Sequence, residues 1–344
     1  MNVTKLEVDI NKINHNIEEI KKYTKKNVIP VIKANAYGTG ICNCKEFVNK
    51  FEIVAVANTY EGVKLRNNDY LGQILILNQP SIDDIPNIIK YDLVVGISNI
   101  EFLTKLTSKI RVHLEIETGM NRTGIKLEDL DFFLNNNNLI IEGVYSHLAC
   151  ADCDKEYTKC QYEIFKKAVN IVKEKVNLKY IHLEASSGIV EVNDDISNYT
   201  RPGIIMYGYY KTSKLRLLEA LKLKTKITFL KEVPKNTSLG YSHGYITKSK
   251  MRVATIPIGY ADGLSRSLSN KGYVVINKHK CKILGNICMD STLIDVTDVD
   301  CKLNDDVYIF DNDIIKLNDL SKELRTIDYE IISTINDRVE REYL

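Results

Sequence analysis

The fold class this chain predicts is α/β: a (β/α)8 TIM-like barrel followed by a mostly β C-terminal domain. Three observations predict it. From about residue 6 to residue 213, short apolar runs alternate with amphipathic stretches, which is the pattern of parallel strands joined by helical crossovers. The number of strand–helix units in this part is eight, as a closed barrel requires, with a doubly wound open sheet as the competing arrangement. Beyond residue 213 the helical periodicity fades and runs of β-branched residues replace it.

Taken in order, the strand-like runs of the first part are 28–33, 53–57, 73–77, 93–97, 111–117, 140–146, 179–183 and 199–205. Helix-like stretches lie between them at 11–25, 44–51, 82–90, 100–108 and 156–175. In the last of these, Tyr162, Phe165, Val169 and Val172 recur at three-to-four spacing and predict one apolar face. The second part, 214–344, offers strands at 225–230, 252–258, 273–276, 282–284, 291–296 and 307–310, and a short helix at 317–324. Residues 1–8 are a candidate further strand for this β domain.

The 344 residues are 44% hydrophobic and 27% charged, an ordinary globular composition. The 47 Lys and Arg nearly cancel the 45 Asp and Glu, so charge gives no reason to expect a nucleic-acid or membrane partner. The N-terminus lacks the apolar core of a signal peptide, and no run approaches the roughly 20 apolar residues of a membrane span. A cytoplasmic protein is expected, with its eight cysteines reduced. His147, Cys150, Cys153 and Cys160 include a Cys-x-x-Cys, but no second pair stands at zinc-ribbon spacing, and no metal is expected.

Barrels carry their chemistry at the C-terminal ends of the strands. There the first strand delivers Lys33 and Tyr37, and Arg122 lies just beyond the fifth. His147 follows the sixth, Ser186 the seventh, and Arg201 sits with the eighth. A lone Lys more often snorkels to solvent. One held at the end of a buried strand is pushed toward the neutral amine, the nucleophile that forms a Schiff base with an aldehyde. Ser186 and the amides around Gly203 and Ile204 fall at the seventh and eighth loops, where barrels commonly bind phosphate. Gly38-Thr39-Gly40 lacks the third glycine of a dinucleotide fingerprint and is a weak signal.

Several motifs in order resemble one family. They are Val31-Ile32-Lys33-Ala34-Asn35-Ala36-Tyr37-Gly38, Thr118-Gly119-Met120-Asn121-Arg122, Ser146-His147-Leu148, Arg201-Pro202-Gly203-Ile204, Ile256-Pro257-Ile258-Gly259-Tyr260-Ala261-Asp262-Gly263 and Ile287-Cys288-Met289-Asp290. The chain is similar over about 6–343 to the alanine racemases, pyridoxal 5'-phosphate (PLP) enzymes that work as head-to-tail homodimers and supply D-alanine for peptidoglycan. The resemblance implies that Lys33 carries the cofactor as a Schiff base and is one catalytic base, with Tyr241 of the other subunit as the second. It further implies that Tyr37, Ser186, Gly203 and Ile204 hold the phosphate, His147 supports the pyridine ring and Arg201 faces its nitrogen. By the same resemblance, Arg122 and the backbone of Met289 bind the substrate carboxylate, Tyr260 helps form the entrance, and His182 braces Arg201.

Three positions depart from the family pattern. Thr39 replaces a common His. Glu115 stands where some members carry a lysine, sometimes carbamylated, that positions the arginine matching Arg122. Asp337 stands where some place a tyrosine on the phosphate, and there it would repel that group. The expected activity is interconversion of L- and D-alanine. A racemase of serine or of broad specificity, a PLP decarboxylase of similar fold and a PLP carrier are the rivals. Arg201 argues against the decarboxylase: an Arg only donates, so the nitrogen opposite it stays unprotonated and the electron sink is shallow.

Overall fold

The computed structural model describes residues 3–344. They form two compact units. Asn14–Ala36 and Gly40–Leu218 make the first; the N-terminal residues up to Ile13, Tyr37–Thr39 and Glu219–Leu344 make the second.

The first unit is the expected barrel. Eight strands pair in parallel in the order Asn27–Val28, Tyr199–Thr200, Tyr180–His182, Leu139–Tyr145, Ile110–Glu115, Val94–Ile97, Gln73–Ile76 and Ile53–Val56. A parallel bridge between Val31 and Ala55 closes the ring. Side chains on both faces of the middle strands are sealed: Val54, Ala55, Ile74, Leu75, Val94, Val95, Val112 and Leu114 are fully buried. That is why these segments read as unbroken apolar runs.

The first strand is shorter as a ladder than the run 28–33, because Pro30 has no N–H to donate. The chain stays extended nonetheless. Ile29 and Val31 donate to the carbonyls of Thr200 and Pro202 on one side (2.8 and 3.0 Å), while Ile32 donates to Ala55 and Pro30 accepts from Ala55 on the other (2.8 and 2.9 Å). Pro202 likewise ends the last strand at Thr200, so the expected run 199–205 is overlong, and Ile204–Tyr207 coil into a 3-10 turn.

The Lys155–Lys175 helix starts at Asp154, whose carboxylate accepts the Tyr157 N–H at 2.9 Å. Its buried face carries Phe165, Val169 and Val172 as expected, but Gln161 rather than Tyr162 completes it. A polar residue takes the inward position because three barrel groups there need partners, as described below.

The second unit is mostly β. Its nine-stranded sheet runs Phe229–Val233, Met251–Ile256, Thr292–Asp295, His279–Leu284, Tyr273–Ile276, Asp306–Phe310, Leu221–Lys226, Lys5–Val8 and Glu340–Tyr343. Lys5–Val8 thus lies between two strands of this sheet, while residues 1 and 2 fall outside the described residues. The expected strand 225–230 is two strands: Ile227 donates to Asp305 and Thr228 to Thr255, so the chain changes ladders there. Leu317–Leu324 is helical as expected, and a second helix, Asp328–Ser333, follows.

Candidate active site

Lys33 stands where the first strand leaves the barrel, half-buried. The four residues after it turn left-handed: φ is 54° at Ala34, 52° at Asn35, 53° at Ala36 and 57° at Tyr37. Each such L-residue costs roughly 1–2 kcal/mol, so the turn must be imposed by its surroundings. Glu61 does much of this, one carboxylate oxygen accepting the Ala34 N–H and the other the Ala57 N–H, both at 2.7 Å. Tyr207 Oη donates to the Ala36 carbonyl at 2.9 Å. In the second unit, Arg341 donates to the Gly38 carbonyl through Nε and Nη2, at 3.0 and 2.8 Å. Strain of this kind, fixed by several partners, pins the backbone beside a reactive group.

Burial lowers the Lys33 pKa, and the charges of Arg122 and Arg201 lower it further, with Glu61 opposing. The amine is therefore released at lower pH than an ordinary lysine's.

Arg201 is 3% exposed. Its Nη1 donates to His182 Nδ1 at 2.7 Å and to the His182 carbonyl at 2.5 Å; its Nη2 donates to the carbonyls of Ser146 and Leu183 at 2.6 and 3.2 Å. The four terminal N–H bonds are thus matched to four acceptors, and Nε–H remains as the donor for a ligand. Its guanidinium carbon lies 5.3 Å from the Tyr145 ring centre, and Tyr145 stacks on His182 at 7°.

Arg cannot accept, so His182 Nδ1 must be unprotonated and the proton sits on Nε2. That N–H donates to His113 Nδ1 at 2.8 Å, which places the His113 proton on its own Nε2. Both rings are neutral. Burial and the nearby Arg201 push the His113 pKa down to about 3 and that of His182 well below its ordinary value. Burial lowers Arg201 itself to about 10, which leaves it charged near neutral pH.

Ser186 Oγ accepts the Gly203 and Ile205 amides at 3.3 and 3.4 Å, so a hydroxyl and two N–H groups meet at one place. Ile204, expected at this place, is buried between the two donors. His147 is half-buried, its pKa lowered to about 3 by burial and by Arg201, Arg122 and Lys33. Tyr37 belongs to the second unit, its ring centre 6.0 Å from that of Tyr329.

The loop 118–122 holds Arg122 exposed at its end. Glu117 shapes this loop by accepting the Gly119 and Asn121 amides, and Tyr157 Oη donates to the Gly119 carbonyl at 2.7 Å. Gln161 ties it to the His147 strand: Nε2 donates to Thr118 Oγ1 (3.1 Å) and the His147 carbonyl (3.3 Å), and Oε1 accepts the Ala149 N–H (2.9 Å). Glu115 is buried below, its pKa raised by burial against the pull of Thr123, Arg122 and Arg201.

In the second unit, Tyr241 lies in a tight 3-10 turn between the paired strands Ser238–Leu239 and Tyr245–Ile246, and is 71% exposed. Asn286 Nδ2 holds its carbonyl at 2.9 Å. Tyr260 and Ala261 donate to the carbonyls of Cys288 and Met289 at 3.1 and 3.0 Å, so the Tyr260 turn and the Met289 loop are one assembly. Arg338 clamps it through Asp290 (2.6 Å) and Asp262 (3.4 Å). Asp337 is exposed and lends charge to Arg341.

Two family models cover this arrangement. The alanine racemase N-terminal domain matches residues 8–211 and the C-terminal domain residues 220–343. The chain belongs to the alanine racemase family. An alanine racemase 2 of Caldanaerobacter subterraneus is 34% identical, covering 99% of this chain and 95% of its own length. The alanine racemase structure from Clostridium difficile 630 superposes with a TM-score of 0.93 at 31% identity, covering 100% and 96%. That from Bartonella henselae, described with covalently bound pyridoxal phosphate, gives 0.86 at 25% identity, covering all of both chains.

Within this alanine racemase fold, Glu61, His113, Tyr145 and Gln161 are positioning residues that sequence reasoning passed over. Their signals, an acidic residue in a helix and polar residues amid apolar runs, are shared by many residues that touch nothing of the site.

Proposed function

We propose that this chain is a PLP-dependent racemase that interconverts L- and D-alanine, supplying D-alanine for peptidoglycan. The observation that carries the reading is the pairing of a softened Lys33 amine with a buried Arg201 whose Nε–H alone is left to donate. This donor set fits the cofactor, and the Ser186 hydroxyl with the amides beside it offers donors of the kind a phosphate needs. Bound pyridoxal phosphate supplies an aldehyde to join the amine and a conjugated ring that withdraws electrons from the substrate's Cα.

The chain's own residues do the rest. Lys33 Nζ anchors the cofactor, then takes or returns the Cα proton on one face. The partner subunit's Tyr241 does so on the opposite face. Two bases are needed because one base returns the proton to the side it came from. Arg201 stays protonated and would donate through Nε to the ring nitrogen, which would then carry no proton, so that electron withdrawal is restrained. Neutral His147 supports the ring. Arg122 and the Met289 amide would hold the carboxylate, and Tyr37, Ser186, Gly203 and Ile204 the phosphate, while Tyr260 would line the entrance.

Two copies share each site in this reading, and the high exposure of Tyr241 supports it: a phenol that serves a neighbour must project from its own chain. The cytoplasm is the location this reading gives the enzyme, a compartment in which its eight cysteines would be kept reduced. The test is an enantiomer-resolved assay with added PLP, on the wild type and Tyr241→Phe. The wild type should racemise alanine from either side, and the variant should keep the cofactor while losing Cα proton exchange from one enantiomer at least tenfold more than from the other. No racemisation by the wild type would end the proposal. Equal, small losses in both directions would remove Tyr241 from it.

A further inference from the structure

Cys150 and Cys153 find no use in the chemistry above, yet they are placed for chemistry of their own. They lie in the turn between His147 and the Lys155–Lys175 helix. Among the described residues no group of three or more His, Cys, Asp or Glu side chains is arranged to hold a metal ion, so the Cys-x-x-Cys is not part of such a cluster.

The Cys153 N–H donates to the Cys150 carbonyl at 3.1 Å, the closing bond of a β-turn with the two cysteines at its ends. A β-turn holds its end Cα atoms within about 7 Å, and disulfides join Cα atoms about 4.4–6.8 Å apart. Cys153 Sγ contacts the Cys150 carbonyl at 3.7 Å, so its side chain folds back over the turn. Asp154 N–H and Thr158 Oγ1 donate to that same carbonyl, at 3.0 and 3.2 Å, so the turn is fixed before any bond forms. Cys153 is exposed and Cys150 half-buried, which gives one thiol that meets a reagent and one behind it.

We propose that Cys150 and Cys153 form a reversible intramolecular disulfide by exchange with low-molecular-weight disulfides. Cys153 Sγ, as thiolate, displaces one half of RSSR, releasing RS⁻ and leaving a mixed disulfide. Cys150 Sγ then attacks Cys153 Sγ and displaces the second RS⁻. Two S–H bonds are lost and one S–S bond forms. The two protons and two electrons leave with two molecules of RSH. Gln161 connects this turn's segment to the His147 carbonyl and to Thr118, so the bond would staple the chain directly behind the racemase site.

The test uses the full-length holoenzyme equilibrated with oxidised and reduced glutathione at graded ratios, then alkylated, digested and mapped by mass. The expected result is a peptide holding Cys150 and Cys153 that has lost two hydrogens, resists alkylation and recovers on dithiothreitol. Cys153→Ser should leave Cys150 alkylatable at the same ratios. Finding both cysteines alkylated or separately glutathionylated at every ratio, or Cys150 bonded to Cys160, would overturn the proposal. The readout is mass, so it stands apart from whether the chain racemises alanine.

Discussion

Glu184 is 2% exposed, and its carboxylate shares one ammonium with a second carboxylate: Lys26 Nζ is 3.0 Å from Glu184 and 3.3 Å from Asp194, which is equally sealed. One cation thus faces two buried carboxylates. Burial, with the charge of Asp194 adding to it, raises Glu184 from 4.5 to about 7 against the opposing pull of Lys26. A carboxyl held above its unfolded value keeps its proton longer in the native state than in the unfolded one. Stability is therefore lost as pH rises from 4.5 toward about 7, not gained. At about 1.4 kcal/mol for each tenfold change in proton affinity, the loss amounts to about 3 kcal/mol. Urea unfolding of the holoenzyme and of Glu184→Gln at several pH values from about 4.5 to 8 reads this directly. The wild type should weaken relative to the variant by roughly that amount across the window. A wild-type minus variant difference independent of pH would refute the reasoning.

Two further substitutions probe the scaffold. Gln161→Leu keeps the volume but orphans the Ala149 N–H and the His147 carbonyl, and should cost about 2–4 kcal/mol of stability; a urea midpoint shift worth less than about 0.5 kcal/mol would place it among ordinary surface changes. Gly38 and Gly240 both have positive φ, 76° and 73°, but a Cβ on Gly38 would lie 2.0 Å from the Ile332 carbonyl oxygen and one on Gly240 no closer than 3.7 Å to any group. Gly240, at ψ −175°, sits where glycine alone is at ease, so Gly240→Ala should cost about 1–3 kcal/mol from the backbone alone, and Gly38→Ala distinctly more, measured the same way; equal costs would mean crowding adds nothing.

The barrel was legible because strands covered on both faces are written as continuous apolar runs, and the eight runs were all in place. Boundaries were misread where proline removed a donor, at Pro30 and Pro202, since apolarity continues past the point where the ladder stops. Gln161 was hidden because helical periodicity favours Tyr162 as the core residue, and only contacts from Thr118, His147 and Ala149 turn a polar side chain inward. The left-handed turn after Lys33 was not legible at all. Ala34, Asn35, Ala36 and Tyr37 carry no local signal for it, and the partners that impose it, Glu61, Tyr207 and Arg341, lie far along the chain. Arg201 and Lys33 were visible as residues, whereas the hydrogen-bonded chain from Arg201 through His182 to His113 needed the geometry.

The central claim is that Lys33 is the amine that holds pyridoxal phosphate. Borohydride reduction of the PLP-loaded protein, followed by peptide mapping, tests it most directly. The account predicts a stable phosphopyridoxyl label on Lys33 alone, absent from Lys33→Ala along with the cofactor's visible absorbance. A label on another lysine, or none, would contradict it.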